Sequence, residues 1–216
     1  MRYGSDGSRI MSSIGRISEL AGSGPALLAA DADWPTIRDW RRKIREKLIA
    51  QRVAISAEDR SAWSETIGRA LTAALEPYAS SLIGFYWPFR GEYDPRGVLT
   101  AMRERGSRLA LPVIVERGQP LVFRLWSPGS LMVQGIWKIP MPESGEAVFP
   151  DLLVVPLVGF DGQGYRLGYG GGFYDRTIAT MPERPRTVGV GFELGRLETI
   201  CPQPHDIPLE QIITER

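Results

Sequence analysis

DLLVVPLVGFDGQGYRLGYGGGFYDR, residues 151–176, decides how this chain is read. Residues 152–158 are a short apolar run rich in β-branched side chains, the pattern of a buried strand. Residues 160–164 (FDGQG) have the composition of a turn. Four glycines then fall within the five positions Gly168 to Gly172. A loop with so few side chains can turn its backbone N–H groups toward an anion. FYDRTIATM, from Phe173 onward, reads as the start of a helix, so the glycines sit at its positive end. Arg166 and Arg176 bracket the loop with guanidinium groups suited to phosphate oxygens, and Asp175 offers a carboxylate for Mg²⁺ beside a phosphate. The loop lacks the Lys-Ser/Thr of a Walker A motif and is not a G-x-G-x-x-G. Glycines alone would equally suit a tight connection between strand and helix.

The bulk composition narrows the partners. The chain has 216 residues, enough for one domain with a sizeable core, and a net charge of +1, which does not mark nucleic acid as a partner. One cysteine, Cys201, excludes an intrachain disulfide framework and fits a reducing compartment. One histidine, His205, argues against a histidine-rich zinc site and is read as structural. No apolar run reaches the ~20 residues of a membrane span, and the N-terminus lacks the order of a signal peptide. The expectation is a cytoplasmic protein acting on small molecules, away from membranes, as a monomer or weak dimer.

Outward from the glycine loop, strands alternate with helices. This predicts a single α/β domain with a largely parallel central sheet flanked by helices, and a glycine-rich phosphate loop at a strand-to-helix turn. Residues 1–32, rich in Gly, Ser and Ala, read as a flexible N-terminal extension, with 33–216 as the folded domain. From Thr36, Trp40, Ile44 and Leu48 recur at helical spacing, with Arg41, Arg42, Lys43, Arg45 and Lys47 between them. The basic cluster suits a solvated helix face, or a source of one or two cations for phosphate. Ser56 followed by Glu58 and Asp59 marks the cap of a second helix. LIGFYW (82–87) reads as a strand that delivers Glu92 just past its C-terminal end, where open α/β sheets place ligands. A carboxylate there accepts N–H bonds, and Trp87 and Phe89 offer rings for stacking. Residues 95–106 read as a short helix, 108–115, 120–126 and 187–192 as strands, and 126–142 as an ordered Pro- and Gly-rich loop.

The run Arg166-Leu167-Gly168-Tyr169-Gly170-Gly171-Gly172-Phe173-Tyr174-Asp175-Arg176 closely resembles the 5-formyltetrahydrofolate cyclo-ligase family, also called methenyltetrahydrofolate synthetase. The resemblance extends from about Asp39 to the C-terminus. It implies ATP-dependent cyclisation of 5-formyltetrahydrofolate to 5,10-methenyltetrahydrofolate, with ATP and Mg²⁺ as cofactors and folate and ATP as small-molecule partners. The family's basic-x-x-x-Arg pattern on the first helix falls on Arg41 and Arg45. With Arg166, Leu167, Gly168, Tyr169, Gly170, Gly171, Gly172, Phe173 and Tyr174, these are the implied ATP-binding residues. Arg166, Gly170 and Gly172 are implied to be catalytic. The implied folate contacts are Trp87, Glu92, Trp137 and the loop residues Tyr169 to Tyr174; Trp137 comes from the segment WKIP, with which the family walls the folate pocket. Asp175 and Asp206 are the implied metal ligands. Two other classes stay open at this point. Phosphate-binding isomerases and transferases share the fold type, and a folate- or nucleotide-binding regulator would bind without turnover.

Overall fold

The structure, a computed structural model, describes residues 32–216; the expected extension at 1–32 lies almost wholly outside the described residues. Helix α1 (Trp34–Val53) starts two residues before the sequence periodicity, because Asp33 accepts the Thr36 N–H at 3.0 Å and Pro35 occupies the first turn. Helix α2 (Ala57–Leu75) begins at the expected cap, where Ser56 Oγ accepts the Asp59 N–H. Strand β1 (Leu82–Gly84), helix α3 (Arg96–Glu104), strand β2 (Arg108–Val113) and strand β3 (Val122–Trp126) follow.

Residues 126–142 are more regular than the expected loop. Strands β4 (Met132–Gln134) and β5 (Pro140–Pro142) pair antiparallel as a hairpin of their own. Its tip is a single 3₁₀ turn in which Trp137 (φ 58°) and Lys138 (φ 60°) are both left-handed. Prolines hid this hairpin from a propensity reading, because they are disfavoured in sheets and tolerated at edges.

Strands β6 (Ala147–Val148) and β7 (Leu152–Pro156) come next. The apolar run 152–158 gives a strand two residues shorter than expected, because residues 159–160 leave the main sheet. They form β8 (Gly159–Phe160), which pairs antiparallel with β9 (Arg166–Leu167). Asp161 Oδ1 closes this turn by accepting the N–H groups of Gln163 and Tyr165. The glycine loop runs from β9 into helix α4 (Phe173–Thr180), and strands β10 (Arg186–Val190) and β11 (Gln211–Ile213) complete the chain.

The main sheet has the order β11-β10-β7-β1-β2-β3-β6. The five strands β11, β10, β7, β1 and β2 are mutually parallel, and β3 and β6 form an antiparallel edge. Successive residues of a strand face opposite ways. Leu152 and Val154 therefore join Ile67, Leu71, Leu99 and Met102 under α2 and α3, while Leu153 and Val155 join Phe123 and Ile178 under α4. Burial on both faces explains why β7 is a continuous apolar run. Helix α1 does not join α2 and α3 in their cluster on the sheet. Its Ile44 and Leu48 pack instead on Val158, Leu167 and Ile200, beside the glycine loop.

β1 has no room to spare. A Cβ at Gly84 would lie 2.7 Å from Leu153 and Pro150 side-chain atoms and 2.8 Å from Phe123. Gly84→Ala should therefore lower stability by roughly 1–3 kcal/mol, read as a reduced midpoint of urea unfolding with an unchanged slope.

Candidate functional site

The residues implied as ligand contacts come together, while Phe89, offered as a stacking ring, packs on Tyr169 with ring centroids 5.8 Å apart and does not line the cleft. Arg41, Arg45, Trp87, Glu92, Trp137, Arg166 and the loop from Leu167 to Tyr174, with Asp175 and Asp206, border one cleft of about 1050 Å³. Its floor includes Tyr86, Pro112 and Pro156, at or just beyond the C-terminal ends of the adjacent parallel strands β1, β2 and β7. Ligand sites of open α/β sheets occupy that position.

The loop's glycines are needed for two reasons at once. Gly170 (φ 89°) and Gly172 (φ 62°) are left-handed. A Cβ at Gly170 would lie 3.3 Å from Arg45 Cζ, and one at Gly172 would lie 2.8 Å from Arg176 Nη1. Guanidinium groups thus rest directly on the backbone. Arg45 Nε donates to the Gly168 carbonyl at 2.7 Å, and Arg176 Nη2 donates to the Gly171 carbonyl. Burial, then the nearby Arg41 charge, pushes the Arg45 pKa down.

The arginines differ in how many donors they keep free. Arg41, 5% exposed, gives Nε to the Ile200 carbonyl at 3.0 Å, Nη2 to the Cys201 carbonyl at 2.9 Å, and an ion pair to Asp206 at 2.5 Å. Arg166 gives Nη1 to the Ile207 carbonyl. Its Nη2 lies 3.0 Å from Asp175 Oδ1, but off the line of a hydrogen bond, so this buried donor is unsatisfied. Tyr174 Oη and Arg176 Nε are also buried without a partner. Native structures leave few such groups, and here three belong to side chains bordering one cleft.

The two carboxylates expected to hold metal are each paired with an arginine. Asp206 receives the Gln203 N–H at 2.7 Å as well as Arg41; burial would raise its pKa, but these hydrogen bonds prevail and hold it low. Asp175 Oδ1 faces Arg166 and accepts the Ile207 N–H at 3.0 Å. Among the described residues no three metal-ligating side chains cluster.

Glu92 anchors the far end of the cleft. Its Oε2 accepts the Phe89 N–H at 2.8 Å and its Oε1 the Tyr169 hydroxyl at 3.0 Å. Burial raises its pKa to about 7, although Arg52, 4.0 Å away, pulls the other way. Sequence reasoning missed Arg52. It donates to the carbonyls of Arg90 at 3.1 Å and Leu157 at 2.9 Å, and to Tyr169 Oη at 2.6 Å. The available signal was spacing: Ile37, Arg41, Ile44, Leu48 and Arg52 share the buried stripe of α1. Trp137, 49% exposed, stands edge-on to Phe173 at 6.2 Å on the outer wall, and Trp87 carries the Arg96 guanidinium 4.4 Å above its ring.

An open, mostly parallel sheet flanked by helices, with an arginine-flanked glycine loop and an aromatic-walled pocket at its strand ends, makes this a single-domain α/β protein. The chain belongs to the 5-formyltetrahydrofolate cyclo-ligase family, whose profile matches residues 37–215. It is 34% identical over 140 residues to the 5-formyltetrahydrofolate cyclo-ligase of Escherichia coli K12, covering 61% of this chain and 76% of that one. To the Haemophilus influenzae protein of the same name it is 28% identical over 182 residues, covering 80% and 96%. The NMR structure of Aquifex aeolicus 5,10-methenyltetrahydrofolate synthetase superposes with a TM-score of 0.69 at 30% identity, covering 82% of this chain and 90% of that one. The Mycoplasma pneumoniae 5,10-methenyltetrahydrofolate synthetase shares the fold, with a TM-score of 0.67 at 22% identity over 82% and 99%.

The raised pKa of Glu92 makes stability depend on pH. The unfolded carboxyl titrates near 4.5 and the folded one near 7. The folded state therefore holds the proton more tightly. The resulting stability is complete below pH 4.5 and disappears as pH rises through 7, a change of about 3 kcal/mol. Melting curves should show the ligand-free protein losing stability relative to Glu92→Gln over that window. A pH-independent difference would show that Glu92 ionises normally.

Proposed function

We propose that the chain catalyses the ATP-dependent cyclisation of 5-formyltetrahydrofolate to 5,10-methenyltetrahydrofolate, releasing ADP and inorganic phosphate. Membership of the family supports the reaction. The observation that carries its assignment to this cleft is that unsatisfied cationic donors and a buried carboxylate with aromatic walls border the same cavity.

An amide-like formyl group is a poor electrophile, and its oxygen is a poor leaving group. Transfer of the γ-phosphoryl group from ATP to that oxygen overcomes both obstacles and releases ADP. N10 then attacks the activated carbon and loses its proton, and phosphate departs with the former formyl oxygen. The protein contributes positioning and charge stabilisation, with no covalent nucleophile. In this reading Arg166 and Arg45 hold phosphate oxygens, together with the backbone N–H groups of residues 168–172 at the start of α4. Gly170 and Gly172 let the backbone approach the transferring group. Arg41, already committed to two carbonyls and Asp206, acts chiefly by its charge and by fixing the cleft wall. Glu92 accepts N–H bonds from the pterin's aminopyrimidinone edge, and Trp87, Trp137, Phe173, Tyr174 and Tyr169 enclose the ring. Because Asp175 and Asp206 are each paired with an arginine, the Mg²⁺ that accompanies ATP would rest mainly on the nucleotide's own phosphates. Among the described residues no helix is long and apolar enough to cross a membrane, which suits a cytoplasmic enzyme.

The test is the ultraviolet absorbance of methenyltetrahydrofolate, followed with 5-formyltetrahydrofolate in the presence and absence of ATP and Mg²⁺. Product should form only with ATP. Arg166→Ala should lower kcat by on the order of 10²-fold or more, while unchanged turnover would remove Arg166 from the mechanism. Binding of both ligands without product would mark a regulator.

A further inference from the structure

We infer that Trp34 is the platform on which the purine base of the nucleotide stacks, an inference that rests on the ATP reading of the cleft. Trp34 precedes residue 37, where the match to the family begins, so no family role falls on it. It is a large apolar side chain left 42% exposed, and it borders the cleft. Single exposed aromatics are ordinary on a surface, but the setting of this one is specific.

Trp34, Arg38, Arg41 and Arg45 follow one another at intervals of four, three and four residues and all border the cleft. That spacing puts them along one face of α1. At 1.5 Å per residue the line from Trp34 to Arg45 is roughly 16 Å long. Arg45 touches the glycine loop, the proposed place of the terminal phosphates. The face of α1 therefore presents an aromatic ring at one end and cations along its length, the order of groups in an extended nucleoside triphosphate.

The indole is held in place. His205 stands edge-on to it, with ring centroids 5.8 Å apart and planes at 89°, and the Arg41 guanidinium lies 5.8 Å from its centroid. Asp33 and Pro35 fix the first turn of α1 on either side of it. An indole left 42% exposed, with a guanidinium over its ring and a row of cations beside it, is an arrangement that can capture a base by stacking on its exposed surface. The opposite end of the cleft, with Glu92 and Trp87, is left for the second substrate.

The experiment measures ATP and inorganic tripolyphosphate binding by calorimetry, with Mg²⁺, on the full chain and on Trp34→Ala and Trp34→Phe. Tripolyphosphate carries the phosphates without a base. Trp34→Ala should weaken ATP by on the order of tenfold, leave tripolyphosphate within about twofold, and be largely rescued by Trp34→Phe. Unchanged ATP affinity in Trp34→Ala overturns the platform and leaves the phosphate reading intact. Equal weakening of both ligands also overturns it, since Trp34 would then be acting through the shape of α1. If the wild-type chain binds tripolyphosphate but gains nothing from the base, the platform fails. If it binds neither, the ATP reading and this inference fall together.

Discussion

Two arginines buried in the apolar stripe of α1 hold this architecture in place. Arg41 reaches the carbonyls of Ile200 and Cys201, and Arg52 those of Leu157 and Arg90. Leu157 directly follows β7, and Arg90, Ile200 and Cys201 lie in loops beyond β1 and β10. Such carbonyls have no strand partner, and a guanidinium fork satisfies several at once. The fork also ties α1 to the strand ends, so the helix forms one wall of the cleft instead of a layer on a sheet face. Removing one partner of such a buried arrangement typically costs about 3–5 kcal/mol, because the remaining charge is left uncompensated. Fold and site are therefore coupled through the same side chains.

The cleft is also where the protein accepts energetic penalties. The elements around it are well packed, with Leu152 to Val155 fully buried and β1 filled to contact distance. At the cleft, Arg166 Nη2, Arg176 Nε and Tyr174 Oη lack hydrogen-bond partners, Glu92 is buried with a costly charge, and on the rim Trp137 and Lys138 are left-handed. Each of these is unfavourable in the empty protein, and an anion and a flat polar ring are the ligands that would relieve them.

Much of this was legible in the sequence. The apolar run at 152–158, the Ser56 cap and the alternation of strands and helices were enough for the α/β class and the parallel sheet. The glycine loop was legible because Arg166 and Arg176 bracket it and an aromatic helix start follows. The β4–β5 hairpin was not, since Pro140 and Pro142 suppress any strand signal and its pairing depends on neighbours 10 residues apart in register, Met132 with Pro142. Arg52 was legible only in part: its spacing puts it on the buried stripe of α1, but a charge in the last turn of a helix ordinarily marks a solvated end, and its partners Leu157, Arg90 and Tyr169 are remote in sequence. Likewise, the ion pairs of Asp206 and Asp175 were not legible, because their arginine partners lie 165 and 9 positions away.

The β4–β5 hairpin carries a last implication. Pro140 and Pro142 have no N–H to donate, so the ladder that pairs them with Gln134 and Met132 is short of rungs. The tip adds two left-handed residues in succession, and the hairpin is a sheet separate from the seven-stranded one. Regions with few backbone rungs and solvent-facing rims open locally, at far lower free energy than the global transition. The rim at Trp137 thus has few backbone rungs of its own and is tied to the main sheet through Arg124, whose Nη1 donates to the Pro142 and Glu143 carbonyls, while Arg41 and Arg52 bolt the rim formed by α1.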